Sequence, residues 1–352
     1  MRFALVFHGP EVVDTGLAQR VMALLRSRGD VTAVMSGYTG VAAVIDAGLE
    51  AEVDISRRRK PSIELAKMSP EADLLVLVNS AKSRESALRF GSLVFSRCKD
   101  KLTRPLVQVD KGLIIGWTGG EDVIVHELAV KLDLEILPAP AAPIEEGLEW
   151  RKVGGVLPGE SVWIDGTVVG KATSDQILIG KGSDHRLVAQ GIALKETGVK
   201  RLGDFDVREA HIRSGMTRRT MASPRCVSSR KDGVFLIDHA AEDAIYKCRD
   251  AALVITVGDD TSKIAGALLY RFDVPVVAIT DGDEDGISRD PVKARGSVVV
   301  RLRSGTDDLV GAEVKGAMFH GGDFLEGAMS PQQAAAIIIQ IAGPHFLGSS
   351  QC

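Results

Sequence analysis

The stretch from Ala252 to Gly286 limits the fold more than any other part of the chain. It holds two short β-branched apolar runs, Leu253–Val257 and Val274–Thr280, each of a length that suits a buried strand. Between them Ile264, Leu268, Leu269 and Phe272 recur at helical spacing. A strand, a helix and a strand in this space read as a βαβ unit, which needs a parallel sheet. Each strand runs into acid: Gly258-Asp259-Asp260 after the first, and DGDEDG from Asp281 to Gly286 after the second. Open parallel sheets bind ligands at the carboxyl ends of their strands, and carboxylates gathered there unpaired would be costly. Mg²⁺ suits such oxygen donors, with Asp259, Asp260, Asp281, Asp283 and Asp285 as its candidate ligands. An Arg-rich neighbour would compensate as well. An EF-hand is disfavoured, because its bidentate glutamate position would fall on Val292. The ordinary structural alternative makes Asp260 and Thr261 helix caps and DGDEDG a solvated turn.

The rest of the chain extends this pattern. Phe3–Phe7, Val31–Ser36, Leu74–Val78, Pro105–Val109 and Leu134–Leu137 read as strands alternating with helical segments, a doubly wound, Rossmann-like α/β domain over residues 1–137. The Pro/Ala run Pro138–Pro143 reads as a linker. Val162–Gly170 then reads as a hairpin turning on Asp165-Gly166, inside a small β-rich insert ending near residue 195. Residues 196–345 form a second Rossmann-like unit, with a helix expected over Ala241–Cys248 and a frayed end from Gly343 to Cys352.

Loops that follow strands are where a ligand is sought. His8-Gly9-Pro10, Gly37-Tyr38-Thr39-Gly40 and Asn79–Ser83 carry small and polar residues, yet none matches GxGxxG or the P-loop. His8 and His239, each at a strand end, are candidate general bases; a lone histidine is also commonly structural. Arg57–Lys60 reads as a solvated basic face. Asp206–Lys231 is dense in arginine and hydroxyl groups, and guanidinium forks bind oxyanions bidentately. Within it Arg213, Thr217, Arg218, Arg219 and Thr220 are the candidate ligand-binding residues. Alternatively these arginines solubilise a surface or neutralise the protein's own acids.

A net charge of −4 makes no global case for nucleic acid. No apolar run approaches the roughly twenty residues of a membrane span, and the opening run is too short for a signal peptide. The four cysteines are scattered without metal spacing, which fits a reducing cytoplasm and argues against zinc or iron–sulfur.

The phrases FHGPEVVDTG, WRKVGGVLPGESVWIDGTVVGKA, AHIRSGMTRRT and VGDDTSKIAGALLYRFDVPVVAITDGDEDG, in that order, resemble an uncharacterised family of methanogenic archaea. The likeness spans nearly the whole chain, implies an archaeal cytoplasmic setting and transfers no catalytic residues. More locally, Val257-Gly258-Asp259-Asp260-Thr261 resembles the GGDGT motif of NAD and diacylglycerol kinases. Val257 and Asp260 replace two of its glycines, so the backbone cannot approach phosphate in the same way. A Toprim-like acid-then-DxD order is similar too, with Asp259 or Asp260 in place of its glutamate.

These observations lead to an expected Mg²⁺-dependent enzyme acting on a phosphorylated or nucleotide-like small molecule, with metal and guanidinium groups stabilising a transferring phosphoryl group. The alternative is a non-catalytic cofactor-binding or assembly protein of methanogens. Membrane partners are not expected and nucleic acid is disfavoured; a homo-oligomer is compatible with the sequence.

Overall fold

The structure is a computed structural model that describes residues 1–118, 123–140, 150–182, 184–216, 218–220, 223–227, 229–238, 241, 244–282 and 294–351. It is a mixed α/β protein with two six-stranded, mostly parallel sheets. The chain opens with β1 (Arg2–His8), α1 (Glu11–Asp14), α2 (Leu17–Arg26), β2 (Asp30–Ser36), α3 (Tyr38–Asp46) and α4 (Pro61–Met68). It continues with β3 (Leu74–Val78), α5 (Arg84–Cys98), β4 (Leu106–Asp110), β5 (Leu113–Gly116), α6 (Val123–Leu132) and β6 (Glu135–Pro138). These strands line up as β2-β1-β3-β4-β5-β6, parallel except where β5 runs against β4.

Both faces of this sheet are buried, which is why its central strands are apolar without alternation. Phe3, Leu5 and Phe7 point to the face covered by α1, α2, α3 and α6; Ala4, Val6, Leu75 and Leu77 point to the face covered by α4 and α5. α2 illustrates the matching helical pattern: Leu17, Ala18, Val21, Met22 and Leu25 form its buried stripe.

Antiparallel strands follow: β7 (Trp150–Gly154), β8 (Ser161–Ile164), β9 (Thr167–Ala172), β10 (Gln176–Lys181), β11 (Leu187–Gln190) and β12 (Ile192–Leu194). After α7 (Glu196–Leu202), β13 (Ile212–Ser214) returns to pair with β8. The strands form sheets β11-β10-β7 and β12-β9-β8-β13 over one apolar cluster that includes Val162, Val169 and Ile177. The β8–β9 hairpin turns where expected, with Asp165 at φ 46° and Gly166 at φ 84°, both left-handed as a tight hairpin turn requires.

The second large sheet uses β14 (Val234–Asp238), β15 (Leu253–Val257), β16 (Val276–Thr280) and β17 (Val298–Leu302), all parallel. Between and after them lie α8 (Ala244–Lys247), α9 (Asp259–Leu269) and α10 (Asp307–Phe319). The chain ends with β18 (Phe324–Leu325), α11 (Pro331–Ala342) and β19 (Phe346–Gln351), in sheet order β18-β14-β15-β16-β17-β19. The βαβ unit expected from the acidic stretch is therefore β15-α9-β16. α11 starts on a capping box between Ser330 and Gln333 with Pro331 at its first position.

Two expectations are corrected here. Residues 346–351 are not frayed: β19 pairs antiparallel with β17. Its Gly-Ser-rich sequence has little strand propensity, so the pairing is imposed by the open sheet edge. Nor is Arg57–Lys60 simply solvated. Arg57 and Arg59 both donate to Glu64, whose side chain is 1% exposed, because a buried carboxylate must be paired.

One apolar cluster joins Phe3 and Val44 of the first unit to Trp163 and to Ile264 and Leu268 of the last, so the two large sheets share a core. Among the described residues no helix is long and apolar enough to cross a membrane.

Candidate functional site

Register brings three polar residues into one row. β1 pairs Phe7 with Val78 of β3, and β3 pairs Val78 with Val109 of β4. One residue further on stand His8, Asn79 and Asp110, and period-two alternation turns all three to the α5 face. They lie at the carboxyl end of the sheet, where the order β2-β1-β3 sends the chain to opposite sides of β1. Such a switch point opens a crevice in parallel sheets.

The row is hydrogen-bonded end to end. Asn79 Nδ2 donates to Asp110 Oδ2 at 2.9 Å, and Gln108 Nε2 donates to the same oxygen at 3.0 Å. Backbone N–H groups of Ala81 and Lys111 donate to Asp110 Oδ1 at 2.7 and 2.8 Å. The fully buried Asp110 carboxylate thus has four donors. With its amide nitrogen committed to Asp110, Asn79 turns its oxygen to His8 Nδ1 at 3.2 Å. The network thereby assigns the proton to Nδ1 and leaves Nε2 as a basic lone pair. The ring stacks on Phe90 with centroids 4.4 Å apart. Burial pulls the His8 pKa below its ordinary value, against the Asn79 bond and the charges of Glu11 and Asp110, so the ring is neutral at pH 7.

Across from His8 the small sheets contribute His211, whose backbone N–H donates to Asp165 Oδ1 at 2.7 Å. The residue is exposed at its edge, while the protein walls around the imidazole disfavour its charged form. Desolvation by those walls, then the charges of Arg213, His8, Lys60 and Arg151, push its pKa down to about 4. Lys82 fixes the two parts together: its Nζ donates to both oxygens of Glu160 at 2.7 Å and to Ser214 O at 3.0 Å. Burial opposes the Glu160 charge, but Lys82 outweighs it and holds the carboxyl below its usual range.

The segment Gly215–Thr220, described apart from Thr217, lies as a strap over this edge. Arg218 donates Nε to Asp14 and NH1 to Asp46, both at 2.7 Å. Thr220 Oγ1 donates to Asp14 as well. Arg219 donates its backbone N–H and Nε to Glu11, and NH2 to the Ser80 carbonyl. Arg271, at the end of α9, adds Nε and NH2 to Asp46 at 2.8 and 2.6 Å. Burial works against the charge of Arg218, but Asp14 and Asp46 more than offset it and raise its pKa. Arg213 is held differently, 4.0 Å over the Trp163 ring and 5.3 Å from Tyr38.

Asp259 and Asp260 form the first turn of α9 behind Gly258, and no side chain caps that helix. Asp259 Oδ2 accepts the N–H groups of Asp281 and Gly282 at 3.0 Å each, and Asp281 Oδ2 accepts Gly305 N at 2.5 Å. The carboxylates therefore tie three loops together. Among the described residues no three His, Cys, Asp or Glu side chains converge as a metal site. Asp283, Asp285, His239 and Thr217 lie outside the described residues.

This sequence matches, over residues 5–322, the family described as an uncharacterized protein conserved in archaea (DUF2117). It is also 37% identical over 328 residues to Uncharacterized protein MJ0065 of Methanocaldococcus jannaschii, covering 88% of this chain and 90% of that one. The chain belongs to this archaeal family. That membership bears out the likeness to a family found in methanogens.

In this family member the residues that sequence reasoning passed over are Asn79 as a relay, Asp110, Lys82 and Glu160. A signal existed for the first two. His8, Asn79 and Asp110 each follow an apolar strand run directly, as LVFH, LVLVN and LVQVD, and polar strand ends of parallel neighbours fall side by side. Asp14 and Asp46 carried another, since each ends a helix, where a carboxylate opposes the dipole and calls for a cation.

Proposed function

We propose that the protein is an enzyme acting on a phosphorylated or nucleotide-like small molecule at the carboxyl edge of its N-terminal sheet, with His8 as proton acceptor. The observation that carries this is the His8–Asn79–Asp110 row at the switch point. A neutral imidazole whose Nδ1 proton is anchored presents Nε2 to take a proton, the arrangement a general base needs. An attacking hydroxyl or water would give its proton to Nε2 as the new O–P bond forms. The P–O bond to the leaving group would break with its electron pair remaining on that oxygen, which recovers the proton from the imidazolium. Arg213, held over Trp163 and Tyr38, would offset oxyanion charge there. As part of the same reading, each large sheet is a Rossmann-like doubly wound unit and the antiparallel strands are a β-rich insert between them. Helices on both sheet faces support it.

Mg²⁺ is a second and separable element of the proposal. Asp259, Asp260, Asp281, Asp283 and Asp285 would hold it, although one oxygen each of Asp259 and Asp281 also accepts backbone N–H groups. The non-catalytic alternative, a cofactor-binding or assembly protein, draws support from Arg218 and Arg219, which grip the protein's own acids.

The test is a thermal-shift titration with nucleotides, NAD(H) and Mg²⁺, singly and together, since a ligand that binds only the folded state must stabilise it. Any stabilising ligand is then assayed for turnover in the wild type and His8→Gln. The proposal expects binding retained and turnover reduced about 10²–10⁴-fold. No stabilisation by any of them, or turnover undiminished in His8→Gln, would overturn it.

A further inference from the structure

The opposite face of the same sheet edge holds a cavity of about 300 Å³ to which neither His8 nor Asn79 contributes. Leu17, Leu132 and Leu134 give it an apolar side, where α2 and the end of α6 approach. Arg20, Lys111 and Arg219 supply cations around it. Two carboxylates also reach it: Glu11 accepts Arg219 through Oε1, and Asp110 is surrounded by its four donors.

Arg20 and Lys111 are exposed, and among the described residues neither side chain bonds a protein group. Lys111 sits in the tight turn joining β4 to β5, where Gly112 has φ 74°, and lines the cavity. The Ser80 hydroxyl adds a polar group on the same side. Positive charge without an internal partner, set over an apolar wall, is the pattern of a site for an amphiphilic anion.

We propose that this cavity binds a small organic anion, an oxyanion headgroup on a compact apolar body. The headgroup would lie between Arg20, Lys111 and the free edge of Arg219, and the body against the three leucines. A cavity of about 300 Å³ lies at the small end of the roughly 300–1,000 Å³ of ligand pockets, which suits a compact molecule. A phosphate and a carboxylate satisfy the same cations, so the headgroup is named by measurement. This site borders the His8 row through Asp110 but is lined by neither His8 nor Asn79.

Isothermal titration of the full chain with phenyl phosphate, benzoate and neutral phenol tests it. One equivalent of phenyl phosphate or benzoate should bind with phenol far weaker, and the tighter of the two anions identifies the headgroup. Arg20→Ala/Lys111→Ala should weaken binding about tenfold or more, with Lys111→Glu giving a loss in the same direction should the double variant fold poorly. His8→Gln should leave the affinity unchanged. The proposal is overturned if neither anion binds at millimolar concentration, if phenol binds as well as phenyl phosphate, or if folded Lys111→Glu keeps wild-type affinity. Loss of binding in His8→Gln would also overturn it, by placing the anion at the other face.

Discussion

Replacing Asp46 by alanine tests whether the arginines of the strap serve structure. Asp46 ends α3 and accepts Arg218 NH1 at 2.7 Å, Arg271 Nε and NH2 at 2.8 and 2.6 Å, and Arg225 N at 3.1 Å. The side chains are 4% exposed for Asp46, 10% for Arg218 and 3% for Arg271. Asp46→Ala would leave the buried Arg218 with Asp14 alone and take from the buried Arg271 the carboxylate it pairs with. Breaking a buried ion pair from one side costs about 3–5 kcal/mol, mostly because the surviving charge is stranded. With a urea slope near ~3 kcal/mol per M, that moves the unfolding midpoint down by about 1 M or more. The control is Asp73→Ala, which removes the pair with Arg2 whose side chains are 55% and 36% exposed. A surface pair is worth at most about 1 kcal/mol, or about 0.3 M. Midpoints read by far-UV circular dichroism in both variants decide the matter. If Asp46→Ala falls no further than Asp73→Ala, the network does not join the two units and the arginines are free for a ligand.

Four further outcomes are expected. In nitrogen-15 spectra His8 should show a protonated Nδ1 and titrate below the ordinary histidine range, and Asn79→Asp should raise its pKa by placing a carboxylate on the ring; an unshifted His8 in that variant would contradict the relay. For His211, lowered from 6.5 to about 4, the unfolded chain takes a proton that the folded one refuses. Stability should therefore fall as pH drops from about 6.5 towards about 4, and His211→Gln should flatten that part of the urea-midpoint profile. Gly37 precedes α3 at φ 96° and ψ 139° with open space around it, so Gly37→Ala should cost about 1–3 kcal/mol from backbone strain alone. Gly316 lies inside α10 with equally open space, so Gly316→Ala should instead stabilise by up to about 1 kcal/mol. Chemical denaturation of both separates the two effects.

The large elements were legible because their causes are local. Runs such as Leu74–Val78 and Val276–Thr280 can be buried on both faces only in a covered parallel sheet, and the Asp165-Gly166 pair can turn a hairpin without strain. Where local chemistry was weak the reading erred, as at β19, whose only reason to be a strand is the bare edge of β17.

The sequence by itself determined which residues were charged, which strands ended in a polar side chain, and that these ends would meet at one edge of a parallel sheet. It could not determine partners. Arg218 meets Asp46 across 172 residues and Asp14 across 204, and Arg271 meets Asp46 across 225. An arginine near hydroxyls reads the same whether it awaits a phosphate or closes on an internal carboxylate, because the fork geometry suits both. Only the tertiary structure, by setting α1 and α3 beneath the strap, decided that Arg218 is spent internally, while leaving Arg20 and Lys111 to face solvent.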